Sequence, residues 1–419
     1  MKEVLHSSGS IWRHPDVWLM LPGRTLVLAG HALAFVTLLL RVHDSGAGAW
    51  AVAALLGCFA LPSIAFMGLA GHLADRYDSR TLLVVGLGLQ VTAALGLAWS
   101  ESLWATLCLV IAYEAGQASV APVWGALLPR VVGEEALGRA VAWQQGLGAL
   151  AGPAGGALGG VLYQTAGPSA AFVVDAGLTA SLIVAALLIR TRRRVAAEQG
   201  SEDERTRMLD GVRLVSADHL LWPVFVALLV MVVLIEGVNA GEVFLARDVL
   251  GATPAMYGLG EVASGIGGVG GAVLAGRLAG EGARFRAVLG GFAACATTIA
   301  LAGLAWDFWS YLALVVAMTA ASGVGNAAMG ALLMGRTPDA QRGRVQSGLN
   351  GLARTATVVA LCAGGLGTSL LGPRALFVIA GSAGLLVMGV AWLRLVRDLA
   401  ADAVSVRDTG GGDADHSRR

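Results

Sequence analysis

The sequence predicts an all-α polytopic membrane protein, with twelve transmembrane helices arranged as two pseudo-symmetric bundles of six. Three observations predict it. Of 419 residues, 56% are hydrophobic and only 14% charged, against roughly 25% charged in soluble domains; mean hydropathy is +0.71. The apolar residues fall into repeated runs of about 20, the length a helix needs to cross a ~30 Å hydrocarbon layer. Lys and Arg are sorted between alternate loops, as the positive-inside rule requires.

Twelve spans are expected at about 17–42, 48–70, 81–100, 103–128, 140–163, 169–189, 222–247, 254–276, 286–305, 309–334, 346–371 and 373–395. The runs are continuous instead of alternating, which argues against barrel strands, and a helix satisfies its own backbone in lipid. If both termini are cytoplasmic, the inside segments carry 24 Lys and Arg and the outside loops three, Arg41, Arg247 and Arg374. The expected organisation is a cytoplasmic N-terminus (1–16), an N-terminal bundle (17–189), a cytoplasmic linker (190–221), a C-terminal bundle (222–395) and a disordered cytoplasmic tail (396–419). The start lacks the pattern of a cleaved signal peptide, so the first span is expected to be retained. Within the linker, residues 204–217 are expected to form an interfacial amphipathic helix, with Met208, Val212 and Val215 on one side.

The halves also look related in sequence. "LLPRVVGEEALGRAVAW" (127–143) and "LLMGRTPDAQRGRVQSG" (332–348) follow the fourth and tenth spans with a similar order of Arg, polar residues and Gly-Arg. An offset of half the chain, together with the split of six spans and six, supports two parallel, related halves.

Polar groups in hydrocarbon are costly and tend to face a cavity or a partner. They fall on spans one (Arg24, His31), four (Glu114, Gln117), seven (Glu236, Asn239, Glu242) and ten (Asn326), which are expected to share a polar interior. A carboxyl withdrawn from water favours its neutral form, so Glu114 and Glu236 can load and release a proton; the alternative is a structural pair with Arg24 or a protonated helix contact. Arg24 could hold an anionic cargo, pair with Glu114 or snorkel outward. His31 is either on a proton path or a hydrogen-bonded core residue. Glu242 and Glu261 are expected nearer the outer face, as gating or hydrated groups, Arg354 as a structural partner between halves, and Asp175 as a helix-end contact. Spans five and eight carry seven and eight glycines, suited to close and movable packing.

Four widely spaced cysteines, Cys58, Cys108, Cys295 and Cys362, make neither a disulfide framework nor a metal pattern, and are expected to act as small core hydrophobes. No metal, nucleotide or other cofactor motif is expected, and the one lysine, Lys2, excludes a Walker loop. A net charge of +1 gives no reason to expect nucleic acid.

"GHLADRYDSR" (71–80) resembles the signature loop of the major facilitator superfamily, with Gly71, Leu73, Asp75, Arg76 and Arg80 on its pattern and Asp78 where many members have Gly. "GALAGPAGGALGG" (148–160) resembles that family's antiporter motif at Gly148, Gly152, Pro153 and Gly156. The succession of motifs is similar to the branch containing enterobactin and macrolide exporters. The resemblance implies two bundles rocking about a central site lined by spans one, four, seven and ten, with spans two, five, eight and eleven between the halves. It also implies a latch in which Asp75 engages a helix start or an arginine, with Arg139 and Arg344 as counter-charges. The function expected is transport and not enzymatic: proton-coupled antiport, driven by the proton gradient, exporting a small amphipathic drug, siderophore or secondary metabolite from a monomer in the cell membrane. The alternatives are a proton-coupled uptake symporter and, in another class, a non-transporting sensor or scaffold.

Overall fold

In the computed structural model, residues 11–65, 78–189, 212–216, 218, 220–338 and 341–410 are described, and no strand occurs among them. The N-terminal half holds α1 (Pro15–Asp44), α2 (Ala49–Ala65), α3 (Ser79–Trp99), α4 (Leu103–Val132), α5 (Glu134–Ala166) and α6 (Pro168–Leu188). The C-terminal half holds α7 (Leu221–Phe244), α8 (Pro254–Ala275), α9 (Glu281–Gly303), α10 (Phe308–Arg336), α11 (Arg342–Leu371) and α12 (Pro373–Gly410). By length and composition, ten of these helices contain a stretch able to cross a membrane; Ala49–Pro62 in α2 is apolar but shorter, and α5 is diluted by glycine and by polar residues in its first turns.

Local chemistry sets the helix starts. Proline opens α1, α6, α8 and α12, where its missing N–H costs nothing and its φ is already helical. The Thr253 hydroxyl accepts from Met256 N at the start of α8, and Asp307 with Ser310 forms a capping box on α10. Asp78, the departure from the family pattern, accepts from the Arg80 N–H at 3.0 Å and caps α3. Gly133 and Gly167, at φ 75° and 82°, provide the left-handed turns that join α4 to α5 and α5 to α6 within a single residue.

Successive helices alternate in direction, so one face of the molecule carries the start of α1, the end of α6, the start of α7 and the end of α12. We call this the terminal face and its opposite the far face. Toward the far face the two halves share one apolar core, in which Leu38, Leu55 and Phe172 join Val243, Tyr257 and Phe377. Toward the terminal face the core divides. Met20, Leu87, Trp124 and Leu182 pack within the N-terminal half, and Phe225, Leu289, Met329 and Met388 within the C-terminal half. The molecule is therefore closed at the far face and splayed at the terminal face.

Small residues permit the far-face closure. A Cβ on Gly258 would lie 2.8 Å from the Gly156 carbonyl oxygen and 3.1 Å from Ala157 Cα, so α5 and α8 touch backbone to backbone there. One on Gly365 of α11 would strike Ala53 of α2. On the splayed side, Cβ positions at Gly146 and Gly152 of α5 and Gly268 and Gly270 of α8 meet open space among the described residues. A hollow of about 470 Å³ runs along α5 on that side, lined by Arg139, Trp143 and Leu150 of that helix.

Several sequence expectations change. The last helix runs past the expected end of its span at 395: α12 continues to Gly410, and no Gly or Pro falls between 396 and 409 to interrupt it; residues 411–419 of the expected tail lie outside the described ones. Of the expected interfacial helix only 212–216 is described, and Val215 is buried in the core of the C-terminal half instead of lying on a membrane surface. Cys108 and Cys362 are exposed, while Cys58 and Cys295 are buried; all four are free, and only the latter two act as core residues.

At the terminal face, Asp218 ties α7 to α10. Its carboxylate accepts from the Leu220 and Leu221 N–H groups at 3.0 Å and from Arg336 Nη1 at 2.7 and 2.9 Å, while Arg336 also reaches Glu281 at the start of α9. Desolvation pushes the Asp218 carboxyl up, but the Leu221 N–H, Arg336 and the Leu220 N–H together hold it below the usual carboxylate range. A depressed folded-state value adds stability above the unfolded value, and that stability fades as pH falls through the folded one. We predict that Asp218→Asn lowers stability at neutral pH by about 1 kcal/mol, a screened-pair magnitude, and that thermal melts of the two proteins converge in acid. A separation unchanged by acid would contradict this. We also predict that Gly258→Val wedges the far face apart. In a cysteine-free background carrying Thr357→Cys in the cavity, an impermeant thiol reagent should then react from the far side; labelling confined to the terminal side would refute the wedge.

Candidate functional site

Between the halves lies a cavity of about 590 Å³, within the ~300–1,000 Å³ of small-molecule sites. Both halves line it: His31 and Phe35 of α1, Phe59 of α2 and Glu114 of α4 on one side, Glu236, Asn239 and Glu242 of α7, Glu261 of α8, Ser322 of α10 and Arg354 of α11 on the other.

Each polar group is positioned by packing around it. The His31 ring stacks on Tyr113, centroids 5.7 Å apart and planes at 18°, and meets the edge of Phe59 at 5.9 Å. Its Nδ1 stands 3.6 Å from Glu114 Oε1, close enough for charge interaction but too long for a hydrogen bond; both atoms are buried without a hydrogen-bond partner. Across the cavity, Asn239 Nδ2 donates to Glu236 Oε2 at 3.1 Å, and the Tyr311 hydroxyl donates to Glu242 Oε1 at 2.8 Å. Glu261 lies against Gly156, where a side chain would collide with it. A glycine of the motif on α5 is thus what lets a cavity carboxyl sit at the contact between halves.

The residues singled out from sequence divide. His31, Glu114, Glu236 and Asn239 line the cavity; Arg24, Gln117 and Asn326 do not. The neighbour of Glu114 is His31, not Arg24, and among the described residues no carboxylate lies within ion-pair distance of Arg24. Asn326 is exposed and donates to Ser322 Oγ at 3.1 Å. Glu242, Glu261 and Arg354, assigned elsewhere by sequence, belong to the cavity wall. Besides α1, α4, α7 and α10, helices α2, α8, α9 and α11 contribute to it. Asp175 is no helix-end contact: it is fully buried, packs against Gly30 and accepts from the Tyr113 hydroxyl at 3.2 Å.

Of the latch residues, Gly71, Asp75 and Arg76 lie outside the described residues. Arg80 Nη2 donates to the Ile189 carbonyl at 2.7 Å, an attachment within its own half. Arg139 is exposed beside the terminal-face hollow, and the helical backbone of Arg344 belongs to the first turn of α11. In the span-five motif, Pro153 packs on Gly265 of α8, Gly148 approaches Leu28 of α1, and Gly152 borders open space.

The far-face lid holds a cluster that sequence reading missed. His43 Nδ1 is 2.8 Å from Asp44 Oδ1 and its Nε2 is 2.9 Å from Asp248 Oδ1 in the other half. The Tyr163 hydroxyl donates to Asp44 Oδ2 at 2.8 Å, and Arg247 Nη2 donates to Asp44 Oδ1 at 3.3 Å. A π-helical turn, Leu245–Val249, presents Arg247 and Asp248; such turns are rare and frequent at functional positions. The sequence signal was the pair "HD" at 43–44 opposite "RD" at 247–248, one in each half.

Both ring nitrogens of His43 face a carboxylate oxygen, and both can donate together only when both carry a proton. We predict that His43→Gln, which keeps at most one of these bonds, raises far-side labelling of Thr357→Cys about fivefold, equivalent to the ~1 kcal/mol of a partly exposed charged contact. Labelling unchanged by the substitution would remove His43 from the far-face contact.

The sequence profile of the Major Facilitator Superfamily matches residues 20–302 and, in a second match, 239–412. Among solved structures, a bacterial homologue of the iron transporter ferroportin in an inward-facing state superposes with a TM-score of 0.69 at 17% identity, covering 91% of this chain and 98% of that one. The nucleoside transporter NupG gives 0.69 at 10% identity, with 90% and 98% covered. A POT family transporter in complex with a thioalcohol-conjugated peptide gives 0.68 at 11%, with 90% and 95% covered. No curated protein matches the chain by sequence. The profile match spans most of the chain, and with twelve helices in two halves around a central cavity, the chain belongs to the Major Facilitator Superfamily.

Proposed function

We propose that the protein is a proton-coupled antiporter that exports a small amphipathic molecule by alternating access. One observation carries the proposal: a cavity lined by carboxyl groups from both halves, shut at the far face by a shared core and facing the splayed terminal face. The bias of Lys and Arg supports a cytoplasmic terminal face, and in that orientation this conformer stands where an exporter takes up its cargo. The neighbour in an inward-facing state has the same fold, which supports that reading.

Coupling to protons is supported by the chemistry of the wall. Glu114 and Glu236 sit on opposite halves, and a carboxyl in a low-dielectric site is far easier to keep there neutral than charged. Glu261 touches α5 at the motif glycine Gly156, so its protonation state bears directly on the α5–α8 contact that must slide. The motif at Gly148, Gly152, Pro153 and Gly156 favours antiport over the uptake symporter, as does its similarity to the enterobactin and macrolide exporter branch. A sensor or scaffold would have no use for titratable groups on both walls of an enclosed hollow.

The test is flux in liposomes containing purified protein, with an imposed pH gradient and a panel of amphipathic compounds. Export against proton entry is expected, with Glu236→Gln inserting normally but losing the gradient-driven component. Movement of cargo in the same direction as protons would favour symport. Undiminished gradient-driven efflux by Glu236→Gln would take Glu236 out of the coupling step.

A further inference from the structure

We infer that the unpartnered terminal half of the α5–α8 seam binds one anionic phospholipid, and that this lipid holds the two halves apart at the terminal face. Its phosphate sits on Arg139 and one acyl chain lies along α5. The site is outside the central cavity, and the inference does not rest on the antiport reading.

The argument begins with one face of α5. Arg139, Ala142, Trp143, Gly146, Leu147 and Leu150 line the hollow of about 470 Å³, and their spacing of three and four residues puts them on a single helical stripe. The same stripe runs on to Pro153, Ala157 and Gly160, and there it is covered. Pro153 packs on Gly265 of α8, and Ala157 and Gly160 lie against Gly258. One stripe is therefore interface toward the far face and bare toward the terminal face, where Trp143 is 49% and Leu150 70% exposed. On α8, beyond Gly265, Val269 and Val273 are exposed as well. Water finds no hydrogen-bond partners on such walls, which leaves hydrocarbon to fill the seam.

Dimensions choose among apolar occupants. From Arg139 to Leu150 the helix rises about 16 Å, roughly one leaflet of a ~30 Å hydrocarbon layer. Spread over that length, the hollow has a mean cross-section of about 30 Å², against roughly 80 Å² for a helix 10 Å across. A helix from a partner or from a second copy of the chain is too wide. An extended acyl chain fits.

Charge and aromatic residues set the headgroup. Arg139 is exposed, and among the described residues no carboxylate lies within ion-pair distance of it, Glu135 one turn earlier on α5 included. The other side chains lining the hollow are uncharged. Trp143 meets Trp12 edge to face at 5.5 Å, and Trp12 lies 4.7 Å from Trp18. Tryptophans gather at headgroup depth, so Arg139, one turn nearer the helix start than Trp143, stands at the level of the phosphates. A guanidinium pairs with a phosphate through two parallel hydrogen bonds. The sorting of Arg supports a cytoplasmic terminal face, and the cytoplasmic leaflet is the one rich in anionic lipid. A chain lodged between α5 and α8 occupies the space these helices need in order to meet at the terminal face. The lipid thus binds the splayed arrangement in preference to the closed one and shifts the population toward it.

The test is native mass spectrometry of the purified full-length protein, released from micelles containing dioleoylphosphatidylglycerol and dioleoylphosphatidylcholine in equal amounts. One phosphatidylglycerol should remain bound, favoured about fivefold over phosphatidylcholine, the ratio equivalent to ~1 kcal/mol for a basic side chain at an anionic surface. Arg139→Gln should abolish the preference, and Arg139→Lys should keep most of it. Arg286→Gln, at an exposed position of α9, should leave it unchanged. Gly146→Leu, whose side chain fills the hollow, should release lipid of both kinds. In vesicles, replacing phosphatidylcholine by phosphatidylglycerol should raise the ratio of terminal-side to far-side labelling of Thr357→Cys in the cysteine-free protein, and Arg139→Gln should remove that response. Equal retention of the two lipids by the unaltered chain would overturn the inference. So would equal loss of preference in the Arg139→Gln and Arg286→Gln proteins, displacement of the lipid by a second copy of the chain, or a labelling ratio insensitive to phosphatidylglycerol.

Discussion

The structure depends on a single apolar core that belongs to both halves at the far face and to neither at the terminal face. Lipid offers no hydrophobic reason for two bundles to associate, so packing and interhelical polar contacts must hold them together. Here the packing is backbone on backbone, through Gly156, Gly160 and Gly258 between α5 and α8 and Gly365 on α2. A contact made of glycine has no interlocking side chains to resist sliding, and close approach is regained wherever two smooth surfaces meet again. The same feature that closes this face makes closure reversible.

Polar chemistry is placed where that reversibility matters. The carboxyls of the wall lie below the shared core, and the His43, Asp44, Arg247 and Asp248 cluster lies above it. Glu261 sits at the boundary, against Gly156 of α5, a helix that moves in the proposed cycle. A two-state molecule responds to a ligand only through a difference in affinity between its states. In the antiport proposed above, protons and cargo would bind groups at the seam between halves and so have that difference built in, because the seam is what the two proposed states rearrange. Shifting a population from 1:99 to 99:1 takes about 5.5 kcal/mol of such difference, within reach of a few buried charge-assisted contacts.

Much of the fold was legible because lipid imposes strict rules on sequence. Span length, continuous apolar runs and sorted Arg residues located the twelve helices, and α12 outran its expected end because the span estimate follows apolar length, whereas no Gly or Pro stops the helix before Gly410. The site was legible in its centre and less so at its rim. His31, Glu114, Glu236 and Asn239 stand near mid-span, where depth alone suggests an inward orientation. Glu242 and Glu261 are nearer the far ends of their helices, and depth there does not tell cavity from solvent; only their packing, Glu242 on Tyr311 of α10 and Glu261 on Gly156 of α5, shows them on the cavity wall. Arg24 and His31 are seven residues apart on one helix, yet the cavity does not extend as far along α1 as Arg24. Asp175 was unreadable for another reason: its partner, Tyr113, lies on a different helix, and only tertiary packing joins them.

One cavity that opens to alternate faces requires the two ends of the molecule to move in opposition. The direct measurement is pulsed electron–electron distance determination in liposomes. One spin-label pair would sit at far-face positions Glu101 and Trp306, the other at terminal-face positions Glu135 and Arg277. As pH and cargo are varied, populations with a longer far-face distance should appear together with populations of a shorter terminal-face distance, in equal proportion. Distances that each stay single-valued under every condition, or that lengthen together at both faces, would contradict the account.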